Sequence, residues 1–152
     1  MQITLVHIGA RSQRSGAKSA FETLTAIYVE RIQPYHPTRT ELFAAESDLL
    51  AWFARQHGRA PATLILADSR GRALTSEQFA AWLGARRDNG AQHLVFAIGP
   101  ADGWSDAART HAQLLLSFGA ITLAHELARL VAAEQIYRAC TILAGHPYHG
   151  GH

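Results

Sequence analysis

Thr63-Leu64-Ile65-Leu66-Ala67 and, twenty-five residues on, His93-Leu94-Val95-Phe96-Ala97-Ile98 carry the reading of the fold. Both are short apolar runs bounded by turn residues, the pattern of strands buried on two faces. Asp68-Ser69-Arg70-Gly71 turns the chain after the first. Thr75 then reads as a helix N-cap, and Gln78 three residues later completes a capping box. That helix runs to about Asn89-Gly90, where the second strand begins. Strand, helix, strand is the unit of a parallel sheet.

The pattern continues on both sides. Residues 2–8 alternate and are rich in β-branched side chains, so they read as a strand. Gly9 to Gly16 is a polar loop carrying Arg11 and Arg14. Residues 17–32 follow a helical period through Phe21, Leu24, Ile27, Tyr28 and Ile32, and Pro34 and Pro37 end it. Thr40 to Ala44 is a second strand, and Glu46 to His57 a helix closed by Gly58. Ser105 caps a short helix. Leu114–Ser117 and Ala120–Leu123 are short extended pieces around Gly119, and residues 124–144 form a last helix. The expectation is one α/β domain over residues 1–152, a mostly parallel sheet flanked by helices. Ligands in such sheets sit beyond the carboxyl ends of the strands. That points to the loops after Leu66, at Gly99 and around Gly119.

The composition excludes several classes. With 48% apolar and 17% charged residues the chain is globular, not disordered. Residues 2–8 are too short for a signal peptide, with no positive region before them, and no run is long enough to span a bilayer. The single cysteine, Cys140, excludes an intrachain disulfide and lies on an apolar helix, which reads as a buried thiol. The expectation is a cytoplasmic protein with no membrane partner. Net charge is +2, with thirteen arginines and one lysine, Lys18. That permits an anionic partner without demanding one.

The end of the chain is chemically the most unusual part. Gly145-His146-Pro147-Tyr148-His149 follows the apolar helix, and only Gly150, Gly151 and His152 remain. Two histidines and a tyrosine around a proline can bind, stack and move protons, whereas chain ends more commonly carry small polar residues and fray. The reading is a tail tied down and used, against an exposed tail of accidental composition. Other motifs fail on spacing. Gly9 to Ser19 departs from a phosphate-binding loop because Ala17 separates Gly16 from Lys18. His125-Glu126 lacks the second histidine of a zinc protease helix, having Arg129 there. His146, His149 and His152 have no nearby carboxylate to orient them, so no metal site is assigned.

Ala133-Glu134-Gln135-Ile136-Tyr137-Arg138-Ala139 followed by His146-Pro147-Tyr148-His149, with Ile98 to Gly103 and Ser117 to His125, resembles the ribosomal RNA large subunit methyltransferase H family, of the SPOUT class. The resemblance runs nearly end to end. It implies a deep C-terminal trefoil knot, a homodimer, and transfer of a methyl group from S-adenosylmethionine to N3 of a pseudouridine in 23S rRNA of the assembled ribosome. By motif, the cofactor residues it implies are Leu66, Gly99 and the segment Ser117, Phe118, Gly119, Ala120, Ile121 and Thr122. Leu66, Phe118 and Ile121 would offer apolar walls, and glycine admits close backbone approach. Read without the resemblance, the same residues are ordinary turn and core positions.

The chemistry needs a donor for charge developing on carbonyl oxygens and an acceptor for the imino proton. Arg138 fits the first role, being always protonated and planar, with Glu134 four residues earlier to aim it. His149 is the candidate proton acceptor. Tyr148 can stack on an extruded base, and His146 can cap the helix end. The helix carrying Leu127, Leu130, Val131, Ile136, Cys140, Ile142 and Leu143 is either core or interface. Three positions depart from the family pattern: Gly150 stands where a basic residue is common, Pro100 where a second glycine is frequent, and Arg11 where lysine is often found. Two other readings remain: a SPOUT enzyme for another RNA nucleotide, and a non-catalytic ribosome- or RNA-binding protein of this fold.

Overall fold

The computed structural model describes residues 1–9, 19–100 and 102–150. Five parallel strands form one sheet in the order β2-β1-β4-β3-β5. They are β1 (Gln2–Ile8), β2 (Thr38–Phe43), β3 (Thr63–Ala73), β4 (His93–Ile98) and β5 (Leu114–Ser117). The helices between them are α1 (Ala20–Ile32), α2 (Glu46–Ala54), α3 (Ser76–Asp88), α4 (Asp106–His111) and α5 (His125–Leu143). The expected α/β class holds. The expectations for Arg11, Arg14, Gly16, Lys18 and His152 lie outside the described residues.

Strand pleating splits the core in two. Ile3, Leu5, Ile65, Leu94, Phe96 and Ile98 face one layer, with Ile32 of α1, Phe79 and Leu83 of α3, and Ile136 of α5. Val6, Ile8, Leu64, Leu66, Val95 and Ala97 face the other, with Leu49 and Phe53 of α2 and Ala108 of α4. The near-continuous apolar runs in β3 and β4 are therefore the signature of a sheet covered on both sides. Cys140 is buried in the first layer, and burial pushes its thiol up to about 12, which leaves it inert.

Local signals place the helix ends. The Thr75 hydroxyl accepts from the Gln78 amide and the Gln78 side chain accepts from the Thr75 amide, completing the capping box. Ser19 and Ser105 cap α1 and α4 in the same way, each accepting from the third amide on. At the end of α5, Gly145 has φ 70°, and the amides of Gly145 and His146 donate to the carbonyls of Ile142 and Thr141. This is the glycine-terminated helix end that turns a chain back on its own helix.

Several boundaries differ from the sequence expectation. α2 stops at Ala54, short of His57, whose Nδ1 instead accepts from the Ala62 amide and closes the following loop. β2 starts two residues earlier than Thr40, because the Gln33 side chain pairs with the Thr38 backbone. Ala120–Leu123 is not a strand; only Leu114–Ser117 pairs. The largest correction concerns Asp68–Gly71. These residues do not end β3 but form a bulge inside it: Leu116 is the partner of both Ala67 and Arg72. The bulge depends on Gly71, where a Cβ would lie 2.4 Å from the Leu115 carbonyl oxygen and 2.8 Å from the Leu116 nitrogen. Both are backbone atoms and cannot swing aside. Gly71→Ala is therefore expected to destabilise the protein by roughly 2 kcal/mol, read as a lower urea midpoint. An unchanged midpoint would remove the requirement for close approach.

Candidate functional site

A cavity of about 640 Å³ opens at the carboxyl ends of β4 and β5, beside the bulge in β3. The bulged part of β3, residues 67–70, lines it together with residues 98–100 and 102–104, residues 118–123, and His125 and Ala128 of α5. The stretches after β4 and β5 are loops the parallel-sheet rule singles out. Six of the eight candidate cofactor residues reach it: Gly99, Phe118, Gly119, Ala120, Ile121 and Thr122. Ile121 is 74% exposed, an apolar side chain left out in solvent at the cavity rim. Gly119 has φ 108°, a conformation that favours glycine, and its amide donates to the Ser117 hydroxyl at 3.1 Å.

The other two candidates sit elsewhere. Leu66 is 0% exposed and packs into the α2–α4 layer of the core, so it forms no wall; its neighbour Ala67 reaches the cavity instead. Strand alternation forces this, since adjacent side chains point to opposite faces. Ser117 lines a neighbouring cavity of about 380 Å³, together with Thr75, Ser76 and Gln135; Phe118 and Gly119 border both. Gly99 does line the main cavity, but its lack of a side chain has a second cause. A Cβ there would lie 2.6 Å from Cε2 of Trp104. The Trp104 indole, nearly buried, donates to the Ala67 carbonyl at 2.9 Å and clasps the loop after β4 to β3 just before its bulge.

Trp104, Asp68 and Arg109 are cavity residues that sequence reasoning missed. The Asp68 side chain is only 5% exposed; it accepts from Arg109 Nε at 2.7 Å and from the Arg70 amide at 2.9 Å. Burial pushes this carboxyl up, but the Arg109 hydrogen bond, the Arg70 amide and the two guanidinium charges together outweigh it and hold the carboxyl below its ordinary value. The signal in the sequence was an acidic residue at a strand's carboxyl end, which a turn reading absorbs without remainder.

The tail is tied down. Arg138 Nε and Nη2 both donate to Oε1 of Glu134, at 3.0 and 2.7 Å. The Tyr148 hydroxyl donates to the same oxygen at 3.0 Å, and the Arg138 guanidinium lies 4.9 Å from the centre of the Tyr148 ring. Tyr148 also packs edge-on against Tyr137 at 4.7 Å. Burial above all, with its hydrogen bonds to Tyr28 and Glu134, pushes the Tyr148 phenol well up, so it stays protonated and donates. Arg138 Nη1 approaches His149 Nδ1 at 3.0 Å, and His149 Nε2 lies 2.6 Å from Glu77 Oε1. His146 has the structural job: its backbone closes α5 and its Nδ1 accepts from the Tyr148 amide at 3.1 Å. Glu134, Arg138, Tyr148 and His149 thus form one cluster, but none of them lines the 640 Å³ cavity. Gln135 bridges the gap, donating to Glu134 at 2.7 Å and accepting from Ser76, beside the smaller cavity.

A family model described as "Predicted SPOUT methyltransferase" matches residues 1–149. The chain belongs to the SPOUT methyltransferase family. A protein named ribosomal RNA large subunit methyltransferase H from Koribacter versatilis (strain Ellin345) is 45% identical over 152 residues, all of both chains. One of the same name from Brucella ovis is 56% identical over 88 residues, 58% of this chain and 52% of that relative. Against such relatives the alignment spans about half of their length. Among solved structures, the SpoU methyltransferase AviRb from Streptomyces viridochromogenes, in complex with AdoMet, matches with TM-score 0.52 at 14% identity, over 95% of this chain and 59% of that one. A probable methylase family protein from Haemophilus influenzae matches with TM-score 0.56 at 12% identity, over 96% of this chain and 69% of that one. These likenesses speak for the fold.

In this SPOUT methyltransferase the amino end of α5 also meets the carboxyl end of β1. The His7 and His125 rings lie 6.1 Å apart, and His7 Nδ1, His125 Nε2 and Arg129 Nε are buried without a hydrogen-bond partner among the described residues. Burial, then the charges of Arg129 and His125, lower His7 from 6.5 to about 4. Burial likewise lowers His36 and His93. Among the described residues no helix is long and apolar enough to cross a membrane, and no three His, Cys, Asp or Glu side chains group as a metal set.

Folded His7 resists protonation, so below the ordinary histidine value the unfolded chain binds the proton first. Stability fully present above pH 6.5 is therefore lost as pH falls toward about 4. His7→Gln is expected to flatten part of that fall, read as urea midpoints across the window; His36 and His93 keep the remainder. An identical pH profile in the variant would contradict the burial of a neutral His7.

Proposed function

We propose that this chain is an S-adenosylmethionine-dependent methyltransferase acting on N3 of a pseudouridine in 23S rRNA, on the assembled ribosome in the cytoplasm, as a homodimer with the trefoil knot of its family. The observation that carries the reading is the cavity where β4 and β5 end beside the β3 bulge, which collects Gly99 and residues 118–122 from separate loops. Its volume is that of a small-molecule site, with apolar Phe118 and Ile121 beside the polar Asp68 and the freely turning Gly119. Those groups suit an adenine ring and its polar substituents. When bound, the cofactor supplies an electrophilic methyl group on a positively charged sulfur.

The chain's own residues do the rest. Arg138 carries a permanent charge, the Glu134 hydrogen bond raises its pKa further, and Glu134 fixes its plane. It can stabilise charge on the carbonyl oxygens flanking N3. Tyr148 presents an aromatic face beside it. His149 is the acceptor for the imino proton. In one chain this cluster does not line the cofactor cavity, and a second copy supplies a way to join them. On α1, Phe21, Leu24 and Ile27 are 36, 43 and 38% exposed. An apolar stripe at that spacing wants covering. It adjoins the tail through Tyr28, whose ring contacts Tyr137 at 6.0 Å, which in turn packs on Tyr148. Leu127, Leu130 and Val131 of α5 remain half-buried, while Ile136 and Cys140 are core, so that helix serves both roles.

Mass mapping of 23S rRNA from cells lacking the protein is expected to show loss of one methyl group on a pseudouridine, and an unchanged pattern would overturn the assignment. Calorimetry separates the non-catalytic alternative, since ribosome binding without S-adenosylmethionine binding would favour it. Arg138→Ala is expected to lower methyl transfer on the order of 100-fold, the effect of removing one preorganised charge donor, while leaving cofactor affinity nearly unchanged. Equal losses in both would contradict the role given to Arg138.

A further inference from the structure

The hydrogen-bond partners of His149 determine which of its nitrogens carries the proton. Arg138 Nη1 is only a donor, so at 3.0 Å it requires a lone pair on Nδ1. Glu77 Oε1 is only an acceptor when ionised, so at 2.6 Å it requires a hydrogen on Nε2. The Arg138 hydrogen bond and the Glu77 hydrogen bond therefore demand the same neutral tautomer, Nε2–H with Nδ1 bare. The two partners come from different elements, Arg138 from α5 and Glu77 from the first turn of α3. Among the described residues Glu134 on α5 is a further charged group of the cluster, and it accepts from Arg138 and Tyr148.

We propose that Glu77 is a positioning residue for the methyl transfer: it orients His149 with Nδ1 as the proton-accepting atom and carries the counter-charge when that proton arrives. The inference rests on the proton-acceptor role given to His149 above. The target base brings two carbonyl oxygens flanking an N–H. Arg138 leaves Nδ1 for a carbonyl oxygen, and the N3 proton takes its place on Nδ1. The ring becomes imidazolium, balanced by the Glu77 carboxylate on its other nitrogen. The electron pair left on N3 forms the bond to the methyl carbon, and the carbon–sulfur pair stays on sulfur. A carboxylate behind an imidazole serves the same end in hydrolases, fixing tautomer and stabilising the charged ring. Glu77 itself is 62% exposed, so its pairing adds little to folding; its value is directional. The hydrogen bond from His149, more than any neighbouring charge, also holds the Glu77 carboxyl below its ordinary value, so Glu77 is ionised at neutral pH.

The test combines nitrogen-15 correlation spectra of the full-length chain with methyl-transfer kinetics. The wild-type protein at pH 8 is expected to show His149 as Nε2–H. Glu77→Ala should bring its two nitrogen shifts toward each other and lower kcat a few-fold, up to about fivefold, the size expected of an exposed charge pair, with KM for the cofactor unchanged. Glu77→Gln, whose amide oxygen still accepts from Nε2–H, should restore the shifts and not kcat; restoration of both would overturn the counter-charge role. An Nδ1–H ring in the wild type, or Glu77→Ala with unmoved shifts and full kcat, overturns the positioning role. His149→Gln distinguishes the two layers. If it is inactive while Glu77→Ala keeps full kcat, the proton-acceptor reading stands alone; if it keeps full kcat, both fall.

Discussion

Strand β3 is hydrogen-bonded on both flanks, to β4 and to β5, and the rest of the molecule depends on that double pairing. A parallel strand paired on both sides must be apolar on both faces, which residues 63–67 are. It also sets the ends of β4 and β5 on either side of the β3 bulge. The cavity is what remains between the loops that leave those ends. The bulge at Asp68–Gly71 lets β3 continue alongside β5 while lifting Asp68 into the cavity wall, and Gly71 permits it because the β5 backbone passes where a side chain would stand. Trp104 locks the arrangement by hydrogen-bonding the Ala67 carbonyl across the vacant side of Gly99.

The second constraint is the satisfaction of charge at the chain end. Glu134 accepts from Arg138, Tyr148 and Gln135 together, so one carboxylate organises the guanidinium, the phenol and the link to α3. The glycine-terminated end of α5 turns the tail back so that this can happen. Each single contact is modest, but they share partners, and networks of this kind order their members more than isolated pairs do. The result is a terminus with fixed chemistry.

Much of the fold was legible because it follows from short-range rules. The buried runs of β3 and β4, the Thr75 capping box and the Ser105 cap all stand where their residues put them. The loops at Gly99 and Gly119 were legible because strand ends and glycines mark loops, and the six candidate cofactor residues that line the cavity there came from the motifs of the resemblance. The failures share a cause. Leu66 is adjacent to the cavity in sequence, yet pleating turns it into the core. Asp68–Gly71 has the composition of a turn, and only the presence of β5 beside it converts that turn into a bulge. Asp68, Trp104 and Arg109 were not legible, since the contacts that join them, Arg109 to Asp68 and Trp104 to the Ala67 carbonyl, span 41 and 37 positions.

The sequence by itself determined the α/β class, the parallel sheet, the capped helices and the family, because periodicity, capping and motif order are local properties of a chain. The tertiary structure alone decided the strand order, the two-sided split of the core and which side chains meet. It alone brought Glu77 to His149 across 72 positions, and only there does the imidazole acquire a defined tautomer. A tautomer depends on which donor and acceptor face each nitrogen, and in this chain those groups are supplied by two helices that the fold, not the sequence neighbourhood, sets side by side.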